Sequence, residues 1–340
     1  MLLFEAADVI KRALIIEWDD LLEQDRLQLR QYLLNYVLNR QTQSYVREKI
    51  LQVIAIMIKR VSITDAGRET REILSEMERM MAHGDIQQKF LVCRIVAAIM
   101  QEYVITIKSD DSGLTFTEHF RAKKQFEMMH LRKIFEMVLN SIEQMISDIN
   151  LESSGHAHLL LEFLNIEEQI LLWGYVSPLL PKRLIGLFET INKTDQSPSL
   201  RLNIQWERII LNPKVVELFF GIYWKVRDIP ELQRKALTCI VQLSTLNGTI
   251  FSNPQAKLEY ILNYLSKYLA LLSSIQVKES EAIGFATIFR KILLYHPPNK
   301  NLPLNIVSSL LQHMFSLTCT FAEGSAREEC VSVECSIQSG

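Results

Sequence analysis

One short stretch of the chain carries side chains of the types that bind metal ions. His156, His158 and Glu162 lie close together in the sequence. On a helix, His158 and Glu162 share a face, whereas His156 does not. A zinc site needs at least three protein ligands, and no third ligand is near. The sequence therefore predicts neither a metal site nor a bound cofactor.

Paired carboxylates are the other candidates for chemistry. The pairs Asp19-Asp20, Asp110-Asp111 and Glu167-Glu168 are each adjacent in the sequence. Adjacent residues on a helix diverge by about 100°, so they do not converge on a substrate, and a solvated surface is the simpler interpretation. No glycine-rich phosphate loop, nucleophile elbow or His-Glu zinc motif occurs. Nothing here predicts an enzyme.

Basic residues near the ends of apolar helices are candidates for partner binding. The segment Tyr45 to Arg60 (YVREKILQVIAIMIKR) is apolar from Ile50 to Ile58, except for Gln52. Such a helix suits the inner layer of a helical stack, where it lines a surface that a partner can reach. Arg47, Lys59 and Arg60 are therefore the predicted partner-binding residues. The alternative is that basic residues at a helix C-terminus complement its dipole.

Helices recur along the whole sequence. The predicted segments are Leu2–Trp18, Arg26–Asn39, Tyr45–Arg60, Gly67–His83, Ile86–Ile107, Ala122–Ile149, His158–Tyr175, Leu179–Ile191, Lys214–Arg227, Glu231–Leu246, Gln255–Ile275, Glu279–His296 and Leu304–Phe321. Helix pairs repeat roughly every 40 to 50 residues, the period of HEAT and armadillo arrays. The pattern predicts an all-α, HEAT-like helical-repeat solenoid, a right-handed superhelix of antiparallel helix pairs. A compact helical bundle is the alternative.

The composition agrees with long helices. The 340 residues include only 11 Gly and 9 Pro, so turn signals are few. A formal net charge of −2 gives no general reason to expect nucleic acid as a partner. No apolar run reaches the roughly 20 residues that span a bilayer. We expect neither nucleic-acid binding nor membrane insertion.

The predicted domain organisation is one array followed by a short tail. Residues 1–329 are predicted to form a HEAT-repeat array that is incomplete at both ends. Helical periodicity is already present at Leu2, without a capping residue before it. Residues 330–340 (CVSVECSIQSG) follow no helical period. We expect them to form an unstructured or aberrant tail.

Several segments resemble a known family. LFEAADVIKRALIIEW (3–18), LRQYLLNYVLNR (29–40) and the Tyr45 to Arg60 helix resemble the N-terminal HEAT repeats of exportins in the importin-β superfamily. Five later segments narrow the resemblance to the exportin-4 family. They are WGYVSPLLPKRLIGLFE (173–189), NPKVVELFFGIYWKVRD (212–228), LNGTIF (246–251), ESEAIG (279–284) and LTCTF (317–321). The resemblance covers about residues 3 to 329.

The resemblance implies a nuclear export receptor. Such a receptor binds the GTP-bound form of the small GTPase Ran together with protein cargo, and shuttles between nucleus and cytoplasm through the nuclear pore. The implied partners are Ran-GTP, cargo of the translation initiation factor 5A class and nuclear pore components. The resemblance assigns no individual Ran contacts, so Arg47, Lys59 and Arg60 rest on their position in the helix. A HEAT-repeat scaffold or adaptor protein without Ran dependence is the alternative.

Overall fold

The computed structural model describes residues 2–40, 42–104, 113–147, 151, 153–175, 199–297 and 302–338, with side chains left out at 154 and 323–338. The chain divides into two compact units, Met1–Trp173 and Gly174–Gly340. Among the described residues, the one β feature is an isolated bridge between Arg201 and Asn247. Within the same ranges, every helix is too short or too polar to cross a membrane.

The first unit consists of helices joined by short connections. They are α1 (Leu2–Ile16), α2 (Glu23–Asn39), α3 (Ser44–Thr64), α4 (Arg68–His83), α5 (Ile86–Val104), α6 (Phe116–Phe126), α7 (Arg132–Ile146) and α8 (Ser154–Leu171). A single π-helical turn, Glu127–Leu131, joins α6 to α7. Thr115 and Glu118 form a reciprocal capping box that starts α6, which satisfies backbone N–H groups that the first turn leaves free.

The helices of the first unit pack in two layers. Helices α1, α3, α5 and α8 follow one another in the first layer, and each contacts the next. Helices α2, α4 and α7 form the second layer and pack on α3, α5 and α8 respectively. Because the connections are short, consecutive helices of a pair run antiparallel. This is the arrangement expected of stacked helical repeats.

Helix α3 is the centre of the first unit. Every residue from Val53 to Arg60 is buried, because α3 is covered by α1, α2, α4, α5 and α6. Burying each large aliphatic side chain contributes about 1.5–3 kcal/mol relative to leaving it exposed. Helix α3 therefore supplies much of the apolar core that holds both layers together.

The second unit is also built from helices that pack on one another. Its helices are α9 (Pro213–Val226), α10 (Pro230–Leu243), α11 (Pro254–Ser274), α12 (Glu279–Tyr295) and α13 (Leu304–Gln338). Proline stands in the first turn of α9, α10 and α11, where a missing N–H costs nothing. Helix α9 packs on α10 and α11, α10 packs on α12, and α13 contacts both α11 and α12.

A buried carboxylate joins the end of α9 to the start of α12. Glu281 of α12 accepts hydrogen bonds from Tyr223 Oη at 2.5 Å, from Arg227 Nε at 2.6 Å and from the Lys278 backbone N–H at 2.8 Å. Burial raises the pKa of Glu281, but these hydrogen bonds outweigh it and the net pKa is lowered. The carboxylate therefore stays charged and fixes α12 against α9.

The predicted all-α helical-repeat fold is confirmed, with differences at several boundaries. Helix α6 begins at Phe116, before the predicted start at Ala122, because the Thr115–Glu118 box caps it there. The predicted helix Leu179–Ile191 lies outside the described residues. The last helix continues past Phe321 to Gln338, whereas we expected an unstructured tail from Cys330. Good helix formers such as Ala326, Arg327 and Glu328 favour this continuation.

Candidate functional site

Lys59, predicted to contact a partner, lies inside the first unit. Its side chain is 0% exposed, and Nζ donates to the main-chain carbonyl of Glu102 at 2.7 Å and to Glu102 Oε1 at 3.2 Å. Nζ also lies 5.9 Å from the centre of the Tyr103 ring. Burial lowers the pKa of Lys59, and the neighbouring Glu102 carboxylate opposes that shift. Lys59 therefore joins α3 to α5.

Arg60 is also used internally. Its Nη1 donates to the carbonyl oxygens of Leu14 at 2.7 Å and Ile15 at 3.2 Å, and its Nη2 donates to the Gly113 carbonyl at 3.1 Å. The guanidinium lies 5.0 Å from the centre of the Trp18 ring. Arg60 thus satisfies carbonyls at the C-terminal end of α1, where a cation is favourable.

Arg47 is half-buried on α3, and its Nε is buried without a hydrogen-bond partner in the described part of the chain. The sequence placed Lys59 and Arg60 at the end of their helix, but α3 continues to Thr64. Neither residue is therefore at a helix terminus. Contact of Arg47, Lys59 and Arg60 with a partner stays a prediction.

An open groove crosses the first layer of helices close to these residues. It has a volume of about 620 Å³. Its walls come from α1, α3, α5 and α8 and comprise Phe4, Tyr45, Glu48, Lys49, Gln52, Arg94, Ala97, Ala98, Gln101, Glu102, Glu162, Asn165 and Gln169. We call it the amide groove, because side-chain amides contribute to three of its four walls.

Ion pairs link neighbouring walls of the amide groove. Arg94 of α5 contacts Glu48 of α3 at 3.4 Å and Glu162 of α8 at 2.9 Å. Lys49 of α3 contacts Asp8 of α1 at 2.6 Å. Burial raises the pKa of Glu162, while the Arg94 charge opposes that shift. One arginine thus bridges three consecutive helices of the layer.

The amide side chains of the groove are free to bind. Gln52 lies on α3, Gln101 on α5, and Asn165 and Gln169 on α8, and all of them are at least partly exposed. None of these amides makes a hydrogen bond with another described residue. Each amide carries two donors and one acceptor oxygen. Together they offer both kinds of hydrogen-bonding group across three helices.

The side chains that line the amide groove are suited to hydrogen bonding. Within the described ranges, no group of three His, Cys, Asp or Glu side chains is placed to hold a metal ion. Glu162, considered above as a metal ligand, instead binds Arg94. At the rim, the Tyr45 and Phe4 rings lie 5.9 Å apart, and Tyr45 is 47% exposed. Aromatic residues such as Tyr are enriched in protein–protein interfaces.

Sequence reasoning missed the amide groove. Gln52 was noted only as an interruption in an apolar helix, and the other amides were not singled out. A lone amide on a helix has no local signature, because the groove exists only when α3, α5 and α8 lie side by side. The one available signal was a polar residue within an otherwise apolar helix, which Gln52 provides.

Comparison with known proteins places the chain in a family. The family model described as Exportin-4 matches residues 3–314. Ran-binding protein 17 of Homo sapiens is 20% identical over 258 residues, which is 74% of this chain and 22% of that protein. Exportin-4 of Dictyostelium discoideum is 21% identical over 286 residues, covering 76% of this chain and 24% of that protein. The chain thus spans about a fifth to a quarter of these relatives, and it belongs to the exportin-4 family.

Proposed function

We propose that the protein acts as a nuclear transport receptor that binds the GTP-bound form of Ran and carries protein cargo between nucleus and cytoplasm. The observation that carries this proposal is the match to the Exportin-4 family over residues 3–314. The name of the human relative, Ran-binding protein 17, supports Ran as the partner. The proposed role is binding, without catalysis.

We assign the Ran contact to the amide groove. Its unpaired amides on α3, α5 and α8 can bind main-chain groups of a partner loop without first breaking an internal hydrogen bond. The Arg94 bridge holds these helices in place before the partner arrives, which reduces the ordering cost of association.

The residues predicted from sequence have different roles in this proposal. Lys59 supports the groove from beneath, since it holds Glu102, which lines the groove. Arg60 instead binds the carbonyl oxygens at the C-terminal end of α1. Arg47 lies one residue before Glu48 on α3 and is partly exposed, so it is the one of the three that can still reach a partner. Cargo of the translation initiation factor 5A class and nuclear pore components are further proposed partners, supported by the resemblance alone.

The test is a titration of the purified chain with Ran loaded with a non-hydrolysable GTP analogue or with GDP, at low and moderate salt. The proposal expects clear preference for the GTP-like form. Equal binding of both forms, or none, by a folded chain contradicts it and favours a HEAT-repeat scaffold without Ran dependence. A scaffold has no reason to distinguish the nucleotide states.

A further inference from the structure

A small pocket lies between α4 and α7, in the second layer of the first unit. Its volume is about 30 Å³, which is room for about two water-sized groups. The buried side chains of Leu74, Ile134 and Met137 form its apolar part. A ligand that enters this pocket must therefore be small, and apolar side chains shield it partly from water.

The imidazole of His130 lines this pocket without a hydrogen-bond partner. His130 belongs to the π-helical turn Glu127–Leu131 and is 2% exposed. Both of its ring nitrogens are buried, and neither forms a hydrogen bond in the described part of the chain. A buried polar group without a partner costs free energy, and π-helical turns occur frequently at functional sites. The ring is therefore a candidate to donate a hydrogen bond to a ligand.

Three charged side chains of the described residues line the same pocket. Arg71 of α4 and Lys133 of α7 are exposed, and neither forms an ion pair with another described residue. Glu78 of α4 is also exposed. Burial, followed by the charges of Arg71 and Lys133, lowers the pKa of His130 from 6.5 to about 4, so the ring is neutral at pH 7. Two positive charges and one negative charge leave the lining with a net charge of +1.

We propose that the pocket between α4 and α7 binds one carboxylate group, supplied by an aspartate or glutamate side chain of a partner protein. A carboxylate carries one negative charge, which matches the net charge of the lining, and two oxygen atoms, which match the volume. One oxygen accepts a hydrogen bond from the neutral His130 ring, and the other accepts one from Arg71 or Lys133.

The charge and size of the pocket favour a carboxylate over a phosphate group. A phosphate group has three terminal oxygens and carries up to two negative charges at neutral pH. The second charge has no counterpart in the lining unless His130 is protonated. The inference is independent of the proposed Ran contact, because the amide groove lies in the first layer of helices and this pocket lies in the second.

Methyl NMR of the full chain with ¹³C-labelled methionine methyl groups observes the pocket directly, because Met137 lines it. The variant Met137→Leu assigns its signal. The probes are acetate, a blocked Ala-Glu-Ala peptide and its Ala-Gln-Ala counterpart, titrated at neutral pH and constant ionic strength. We expect acetate and the glutamate peptide to shift the Met137 signal saturably, and the glutamine peptide to leave it unchanged. No saturable shift with either carboxylate, or an equal response to the glutamine peptide, overturns the proposal.

Variants test which residues hold the carboxylate. Arg71→Gln removes a cation and His130→Phe removes the ring donor, so each should raise the dissociation constant of the glutamate peptide at least about fivefold. Arg121→Gln is the matched control, because it removes the same charge at an exposed position on α6 outside the pocket. It should bind the peptide like the wild type. Unchanged affinity in Arg71→Gln, or an equal loss in the control, overturns the proposal. Circular dichroism of each variant verifies that it is folded.

Two further results bear on the nature of the ligand. If acetate binds but the glutamate peptide does not, the pocket takes a free anion, and the assignment to a partner's side chain is overturned. If inorganic phosphate binds more tightly than acetate under the same conditions, the choice of a carboxylate is overturned. Acetate and the glutamate peptide binding more tightly than phosphate is the result that the proposal expects.

Discussion

Lys59 of α3 and Glu102 of α5 are joined by two hydrogen bonds from one ammonium group. Nζ lies 2.7 Å from the Glu102 carbonyl oxygen and 3.2 Å from Glu102 Oε1. The Lys59 side chain is 0% exposed and that of Glu102 is 10% exposed. The pair lies beneath the amide groove, because Glu102 is itself one of the groove-lining residues. The core and the proposed binding surface therefore share this contact.

Replacing Lys59 should destabilise the first unit. Lys59→Met keeps the apolar stem but leaves the Glu102 carboxylate buried without its cation, so the free energy of unfolding should fall by about 3 kcal/mol. The double variant with Lys59→Met and Glu102→Gln should lose less unfolding free energy than the single variant, because neither side chain of the pair then carries a buried charge. Urea denaturation followed by tryptophan fluorescence measures both. Lys133→Met, at an exposed position on α7, serves as control. A single variant as stable as that control would contradict this account.

Stability should depend on pH through His119. His119 is buried, and both ring nitrogens lack a hydrogen-bond partner in the described part of the chain. Burial, followed by the charges of Lys59 and Lys123, lowers its pKa from 6.5 to about 3. Below pH 6.5 the unfolded chain binds a proton that the folded chain does not bind until about pH 3. Stability is therefore complete above pH 6.5 and falls as the pH drops towards 3.

The variant His119→Gln isolates this contribution. Between about pH 6 and pH 5, it should reduce the pH slope of the unfolding free energy by up to about 1.4 kcal/mol per pH unit. Part of the slope should remain, because burial also lowers the pKa of His130 and of His296 to about 4. Unfolding free energies from urea titrations at several pH values measure the slope. An unchanged slope would show that His119 is protonated in the folded chain.

Gly284 of α12 lies against the side chain of Leu237 of α10. A Cβ atom built on Gly284 overlaps the side chain of Leu237. Gly284→Ala should therefore lower stability by about 1 kcal/mol, since overpacking outweighs the gain in helix propensity. Leu237→Ala should lower the stability less in the Gly284→Ala variant than in the wild-type chain. Thermal denaturation of the two single variants and the double variant, compared as a double-mutant cycle, measures this coupling.

Gly221 supplies the control for this substitution. It lies in α9, and a Cβ built there meets nothing within 4 Å. Gly221→Ala should stabilise the chain by roughly 0.5–1 kcal/mol, because only helix propensity and chain entropy change. If both alanine variants change the stability in the same direction, the close packing of Gly284 on Leu237 does not determine the effect of Gly284→Ala.

Local signals predicted the helices well where a capping residue marks their start. Asn212-Pro213 opens α9 as expected, and the Asn212 side chain accepts a hydrogen bond from the Lys214 backbone N–H. The start of α6 was missed although Thr115 and Glu118 carry the capping-box spacing in the sequence. The end of α3 was predicted too early because a basic pair resembles a helix C-terminus.

The candidate site was harder to predict because its partners come from distant parts of the chain. Lys59 and Arg60 find their acceptors on α5, at the end of α1 and at Gly113, none of which is a neighbour in sequence. The amides of the groove likewise come from three helices. Periodicity shows which face of a helix is apolar, but it does not show which helices lie side by side.

The central claim is that the amide groove carries the GTP-dependent contact with Ran. The most direct measurement compares the affinity of Ran in its GTP-like form for the wild-type chain, for Ala98→Arg and for Gln28→Arg. Ala98 is half-exposed in the groove, so an arginine there fills it, whereas Gln28 is exposed on α2 in the other layer. We expect Ala98→Arg to weaken binding at least about tenfold and Gln28→Arg to leave it unchanged. Unchanged binding by a folded Ala98→Arg variant, or equal losses in both, would contradict the account.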